Sequence, residues 1–135
     1  MLEVVGDFCP MMQRMLSMVK DGELCEWKLR VHGPLPFWTL NQTALLGDAC
    51  HPILPHLAQG ATHAIEDGAV LGVVLSRLPD TSSNSIEKVL KIYQEVRKDR
   101  AYELVEIAAA SGRALHLSDG AAREERDKQF ATLKE

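Results

Sequence analysis

Residues 43–68 read TALLGDACHPILPHLAQGATHAIEDG, and the parsing of this stretch decides the fold. Its first five residues are mostly apolar and end at Gly47-Asp48, which reads as a strand over 43–47 buried on both faces. Residues 48–60 carry Pro52 and Pro55 and are too proline-rich to be regular, so they read as a loop. From Gly60 to Leu78 a helix follows, with Ala61, Ala64, Ile65, Gly68, Leu71, Gly72 and Leu75 on one face. Gly68 and Gly72 each cost about 1 kcal/mol relative to Ala in a helix interior, so a close neighbour is expected on that face.

Upstream, CPMMQRMLSMVKDG places Met11, Met12, Met15, Leu16 and Val19 at helical spacing, with Asp21-Gly22 as a stop. The Met stripe is expected to fill core. Residues 24–31 alternate Cys25, Trp27, Leu29 and Val31 with charged residues, the period of a strand with one buried face. Gly33, Pro34 and Pro36 then break the chain. Downstream of a PDTSSNS turn, Asn84 or Ser85 is expected to cap a long helix over 85–117, with Ile86, Val89, Leu90, Tyr93, Ala101, Leu104 and Ala108 inward. A terminal helix over 119–134, capped by Ser118 or Asp119, carries mixed charges of a solvated face. The fold class is therefore α+β and mostly helical, a single domain over 1–135 with only two strands.

Composition excludes several classes of function. The chain has 135 residues, 46% hydrophobic and 25% charged, with a formal net charge of -4, and its basic residues are interleaved with acids. That is no footprint for nucleic acid. Cys9, Cys25 and Cys50 form neither a C-x-x-C pair nor an even set, so no disulfide framework or structural zinc is expected. No secretory leader and no apolar stretch of roughly 18 residues occurs, and a cytoplasmic protein outside the membrane is expected.

The loop has the residue types of a binding or catalytic segment. Asp48 sits at the carboxyl edge of a strand, where open α/β sheets place ligands, and suits sugar-type hydroxyls. The N–H groups of Gly60, Ala61 and Thr62 would face an anion or polarised carbonyl with the positive end of a helix dipole behind them. His51, His56 and His63 are five and seven residues apart, which is not metal-ligand spacing on one helical face, and no metal site is expected. Without G-x-S-x-G there is no serine-hydrolase elbow. Cys50 beside His51 reads as packing rather than as a thiol-imidazole pair, and His63 and Asp67 as a pairing on the helix surface.

Taken together, ALLGDACHPILPHLAQGATHAIEDGAVLGVVLSRLP resembles the second flavin-binding motif of single-component FAD-dependent aromatic hydroxylases, especially fungal salicylate-hydroxylase-like monooxygenases. CEWKLRVHGPLPFW resembles the segment that precedes that motif, and IYQEVRKDRAYELVEIAAASGRALHLSDGAAREERDKQ the helices that follow it. The resemblance implies that Asp48 contacts the ribityl chain and that Pro52 to Pro55 lies between flavin ring and substrate pocket. It also implies that Gln59, Gly60 and Ala61, with Pro55, face the isoalloxazine, the amides stabilising negative charge on its pyrimidine edge.

The family's G-x-G-x-x-G, which grips the pyrophosphate of FAD, has no counterpart here, since no two glycines are separated by one residue. The chain thus resembles the C-terminal portion of a family member, a remnant lacking the βαβ dinucleotide unit. On its own it is expected to hold no FAD, because the missing contacts supply much of the affinity. The expectation that follows is a flavin-free acid/base enzyme (isomerase, cyclase or dehydratase) acting on a small aromatic or polyketide-like metabolite. His56 or His51 would shuttle the proton, and Asp48 or Glu66 would orient it. Two alternatives stand beside it: half of a split hydroxylase using FAD and NAD(P)H, and a non-catalytic dimerising module. An unpaired strand edge makes a homo-oligomer, a dimer, the expected assembly.

Overall fold

A computed structural model describes residues 6–20, 25 and 27–133. Four helices and one small hairpin make up the described regular structure: α1 (Pro10–Ser17), β1 (Thr39–Leu40), β2 (Thr43–Ala44), α2 (Gly60–Leu75), α3 (Ser83–Leu115) and α4 (Ala121–Thr132). The mostly helical α+β class follows the sequence reading.

The 33-residue α3 is the spine. Ser82 caps it by accepting a bond from the Ser85 N–H at 3.3 Å, two or three residues before the expected cap. Val89, Leu90, Tyr93, Ala101 and Ala108 are buried along its inner face, as their spacing requires. Onto this face the segment 35–45 is laid by side-chain hydrogen bonds. Gln94 Oε1 accepts from the N–H of Trp38 and Thr39, and the Tyr93 hydroxyl donates to Leu45 O. The Tyr102 hydroxyl accepts from Leu35 N–H and Trp38 Nε1. Trp38, Cys50, Tyr93 and Ala101 form the core, with Val70, Leu71 and Val74 of α2 closing it.

Several elements differ from the sequence reading. Cys25 and residues 27–31 lie in no strand, and Trp27, Leu29 and Val31 are exposed, because no described strand offers them a partner or a covered face. Residues 24 and 26 lie outside the described residues, as does the Asp21-Gly22 stop. The strand expected over 43–47 is only Thr43–Ala44, paired antiparallel with Thr39–Leu40 through a turn whose Asn41 has φ 53°. Leu45 and Leu46 are 37% and 43% exposed instead of buried. Both would be inner positions of a wider sheet, and no third strand is present among the described residues. The Met stripe is no core filler: α1 has no buried residue and Met11 and Met15 are exposed.

α2 is rotated relative to the expected face. Ala61, Ile65, Gly68, Gly72 and Leu75 point away from α3, and nothing lies within 4 Å of where a side chain would start at Gly68 or Gly72. The inward positions are His63, Asp67, Val70, Leu71 and Val74. Apolar residues surround this helix, so periodicity cannot choose a face. The buried charge of Asp67 chooses it. α4 starts after Gly120, not at Ser118 or Asp119, and Arg126 Nη1 ties it to α3 through Ala114 O (3.0 Å) and Leu115 O (2.9 Å).

Candidate functional site

The loop between β2 and α2 has two sides. One faces the core and holds a buried ionic cluster; the other opens as a cleft.

The cluster is centred on Asp67, which is fully buried. Its carboxylate accepts from Gly47 N–H (2.9 Å), His51 Nε2 (2.6 Å) and Arg97 Nε (2.7 Å). Burial alone would raise the Asp67 carboxyl. Arg97, Gly47 and His51 together more than offset this and hold it below the usual range. Arg97 is itself 3% exposed and also donates to Glu66 (2.6 Å) and to His63 O (3.3 Å). Burial works against its charge, but the bonds to Asp67 and Glu66 outweigh that and raise its pKa. The half-buried Glu66 carboxyl is lowered to about 2, first by Arg100 and then by Arg97. Arg97 can only donate, so at 3.4 Å it meets a lone pair on His63 Nδ1, and burial lowers the His63 pKa.

This cluster pins the loop to both helices. Gly47 adopts φ +60°, and a Cβ there would sit 3.2 Å from that of Ala64, so glycine is needed both for conformation and for close approach. Its N–H then reaches Asp67 one loop away. Cys50 is buried and its thiol donates to Gly47 O at 3.3 Å. Burial, then the Asp67 charge, push that thiol up to about 12, which removes it as a nucleophile. Donor atoms of Cys50, His51 and Asp67 lie within 4.8 Å of one another, but the guanidinium of Arg97 already supplies the positive charge there.

On the open side a cleft of about 660 Å³ is lined by Leu46, Gly47, Asp48, Ile53, Pro55, Ala58, Gly60, Ala61 and Ala64. It therefore gathers Asp48, Pro55, Gly60 and Ala61 from the sequence-derived set, while Gln59 caps α2 without lining it. The loop reaches the helix start through a 3-10 turn at Pro55–Leu57 and Ala58, which has φ 53°. The first N–H groups of α2 have no intrahelical partner and the positive end of a 16-residue helix lies behind them. Asp48 is exposed and accepts from no described residue.

The four residues expected to carry proton transfer are not brought together. His51 is buried against Asp67, and its Nδ1 has no partner. Glu66 is held by two arginines, and Asp48 faces the cleft. His56 packs beside His116, ring centroids 5.2 Å apart, against Gly112, where a Cβ would overlap its ring. His63 and Asp67 do not pair on the surface: both are buried, and their polar atoms meet Arg97. Sequence reasoning missed Arg97 and the centrality of Asp67. The available signal was the Glu66-Asp67 pair in a helix without Lys or Arg, which demands cations from elsewhere.

No family model matches the chain. Among curated relatives, the FAD-dependent monooxygenase OpS4 of Beauveria bassiana is 40% identical over 125 residues, 91% of this chain and 28% of the relative. The 6-hydroxynicotinate 3-monooxygenase of Pseudomonas fluorescens is 36% identical over 108 residues, 80% of this chain and 27% of its own length. Hispidin-3-hydroxylase of Neonothopanus nambi is 38% identical over 101 residues, 75% and 23% respectively. The chain spans about a quarter of the length of these relatives.

Proposed function

This chain corresponds to a C-terminal portion of the FAD-dependent monooxygenases, and we propose that it supplies the ring-side wall of a flavin site for hydroxylation of an aromatic substrate. The observation that carries this reading is the cleft. Residues as far apart in sequence as Asp48 and Ala61 line one surface at the start of α2.

The wall fits the ring-side half of FAD. The exposed Asp48 carboxylate offers acceptors to ribityl hydroxyls, and the free N–H groups at Gly60 and Ala61 offer donors to the electron-rich pyrimidine edge. Pro55 and Ile53 give the wall its apolar part. If bound, FAD would supply the oxygen-transfer chemistry, with NAD(P)H and oxygen as co-substrates. The chain's own contribution is positional. The cluster of Asp67, Arg97 and His51 locks the loop that carries Asp48, so the carboxylate is held relative to α2 before any ligand arrives.

The nucleotide grip must come from polypeptide other than these 135 residues, which contain no G-x-G-x-x-G. A flavin-free acid/base role for the loop would need His51 or His56 beside Asp48 or Glu66, whereas His51 pairs with Asp67 and His56 packs beside His116 and Gly112. Their separate surroundings favour the flavin wall. Visible absorption after desalting, with added FAD, tests the reading in two settings. The chain alone is expected to emerge colourless. With its matched segment exchanged into the Beauveria relative it is expected to emerge yellow, and Asp48→Ala to cut retained FAD about tenfold, the loss of one or two hydrogen bonds. Unchanged retention in the Asp48 variant defeats the proposal, as does stoichiometric FAD on the isolated chain.

A further inference from the structure

We propose that the cavity between α3 and the segment 31–34 binds a small phenol, an aromatic body with a hydroxyl donor and no negative charge, and that this hydroxyl is given to His51 Nδ1. The cavity shares no lining residue with the cleft at the start of α2, so the inference goes beyond the flavin-wall reading and is tested apart from it.

The first support is an unmet acceptor. His51 is 1% exposed. Its Nε2 lies 2.6 Å from the Asp67 carboxylate, which accepts, so in the neutral ring that nitrogen holds the proton and Nδ1 holds a lone pair. Nδ1 has no partner among the described residues. Buried polar atoms are nearly always paired, and a site with one acceptor to satisfy favours the ligand that supplies the donor over its analogue without one. His51 lines the cavity, and Nδ1 is the ring nitrogen not already bonded.

The second support is the lining. The cavity has about 430 Å³, within the range of small-molecule sites. Val31, Pro34, Pro52, Val105 and Ala109 give it apolar walls. Tyr102 adds an aromatic ring whose hydroxyl is already engaged by Leu35 and Trp38. Such walls select a flat apolar body with one polar tip. Pro52 belongs to this cavity, while Ile53 and Pro55 belong to the cleft, so the loop is a partition between two separate spaces.

The third support is charge. Glu103 and Glu106 line the cavity, and no Lys or Arg does. An aromatic carboxylate would meet like charge there. A hydroxyl, unlike an ammonium, reaches Nδ1 without carrying charge among apolar walls.

Calorimetric titration and imidazole nitrogen spectra of the 135-residue chain, without FAD, test the inference with three probes. 4-Methylphenol is expected to bind with a Kd of about 1 mM or below. Toluene, which lacks the donor, and 4-hydroxybenzoate, which adds a negative charge, are each expected to bind at least about tenfold more weakly. The His51 Nδ1 resonance is expected to move with 4-methylphenol and to stay with toluene. Ala109→Phe fills the cavity from α3 without touching the Asp67 cluster, and is expected to weaken 4-methylphenol at least about tenfold with helical circular dichroism unchanged. Glu103→Gln with Glu106→Gln is expected to bring 4-hydroxybenzoate within about threefold of 4-methylphenol. Equal affinity for toluene and 4-methylphenol overturns the inference and leaves Nδ1 to water, and this comparison decides even where the Ala109 variant unfolds. Absence of 4-methylphenol binding at about 10 mM also overturns it, as does a folded Ala109 variant of unchanged affinity. None of these results depends on FAD, so failure here and failure of the flavin wall are distinguishable.

Discussion

Removing the carboxylate of Asp67 is the sharpest perturbation of this structure, because three elements depend on it. In Asp67→Ala the guanidinium of Arg97 stays buried with Glu66 as its remaining ion-pair partner, and that partner is half-exposed. Breaking a buried pair in this way typically costs about 3–5 kcal/mol. Gly47 N–H and His51 Nε2 lose their acceptor as well. Each unmet buried donor adds about 1–3 kcal/mol, part of which entering water recovers. A loss of about 4–6 kcal/mol is expected, comparable with the whole stability of many domains. Urea titration followed by far-UV circular dichroism reads it: with a slope of about 2 kcal/mol per molar, the midpoint falls by roughly 2–3 M. Asp67→Asn keeps an acceptor for Gly47 and loses about half as much. Replacing both partners, Asp67→Leu with Arg97→Met, is expected to cost less than either single removal, since no charge is then stranded. A midpoint for Asp67→Ala within about 0.3 M of the parent refutes the view that this cluster holds the loop.

Stability is expected to fall with acid in two stages. His63 has a folded pKa below its unfolded value of about 6.5, so the unfolded chain takes up the proton first and stability declines as pH drops below that value. Asp67 and Glu66 are held low, so their contribution is full above about pH 4.5 and is lost as pH falls toward the folded values, about 2 for Glu66. Urea midpoints across pH 2–8 check both, and a flat profile rejects them. Gly112→Ala is expected to destabilise by about 1–3 kcal/mol through overlap with the His56 ring, and to move the His56 imidazole resonances. Thiol titration is expected to find Cys9 and Cys25 reactive in the folded chain and Cys50 only after unfolding, since it is buried and its thiol is raised to about 12. Rapid reaction of all three counts against the packing described.

What the sequence disclosed, and what it withheld, follows from where the physical determinants lie. The inner face of α3 was legible at Val89, Leu90, Tyr93, Ala101 and Ala108 because charged residues mark its outer side. Asp48, Pro55, Gly60 and Ala61 were legible as one site because turn chemistry and helix-start chemistry are local. The orientation of α2 was not, since Ile65 and Leu71 have equal claims to a core until Asp67 is known to meet Arg97, a contact thirty residues away. The segment 24–31 has the alternating period and 43–47 the continuous apolar run, but among the described residues only Thr43–Ala44 pairs, in a two-stranded hairpin. An alternating pattern records the environment for which a segment was selected; the pairing partner must be supplied by the rest of the polypeptide. The exposed Leu45, Leu46, Trp27 and Ile65 are thus one observation in four places: large apolar side chains that no described residue covers. The buried cluster shows the opposite case. Asp67, His51, Arg97 and Gly47 satisfy one another within the chain, so the loop that carries Asp48 needs no outside partner to hold its shape.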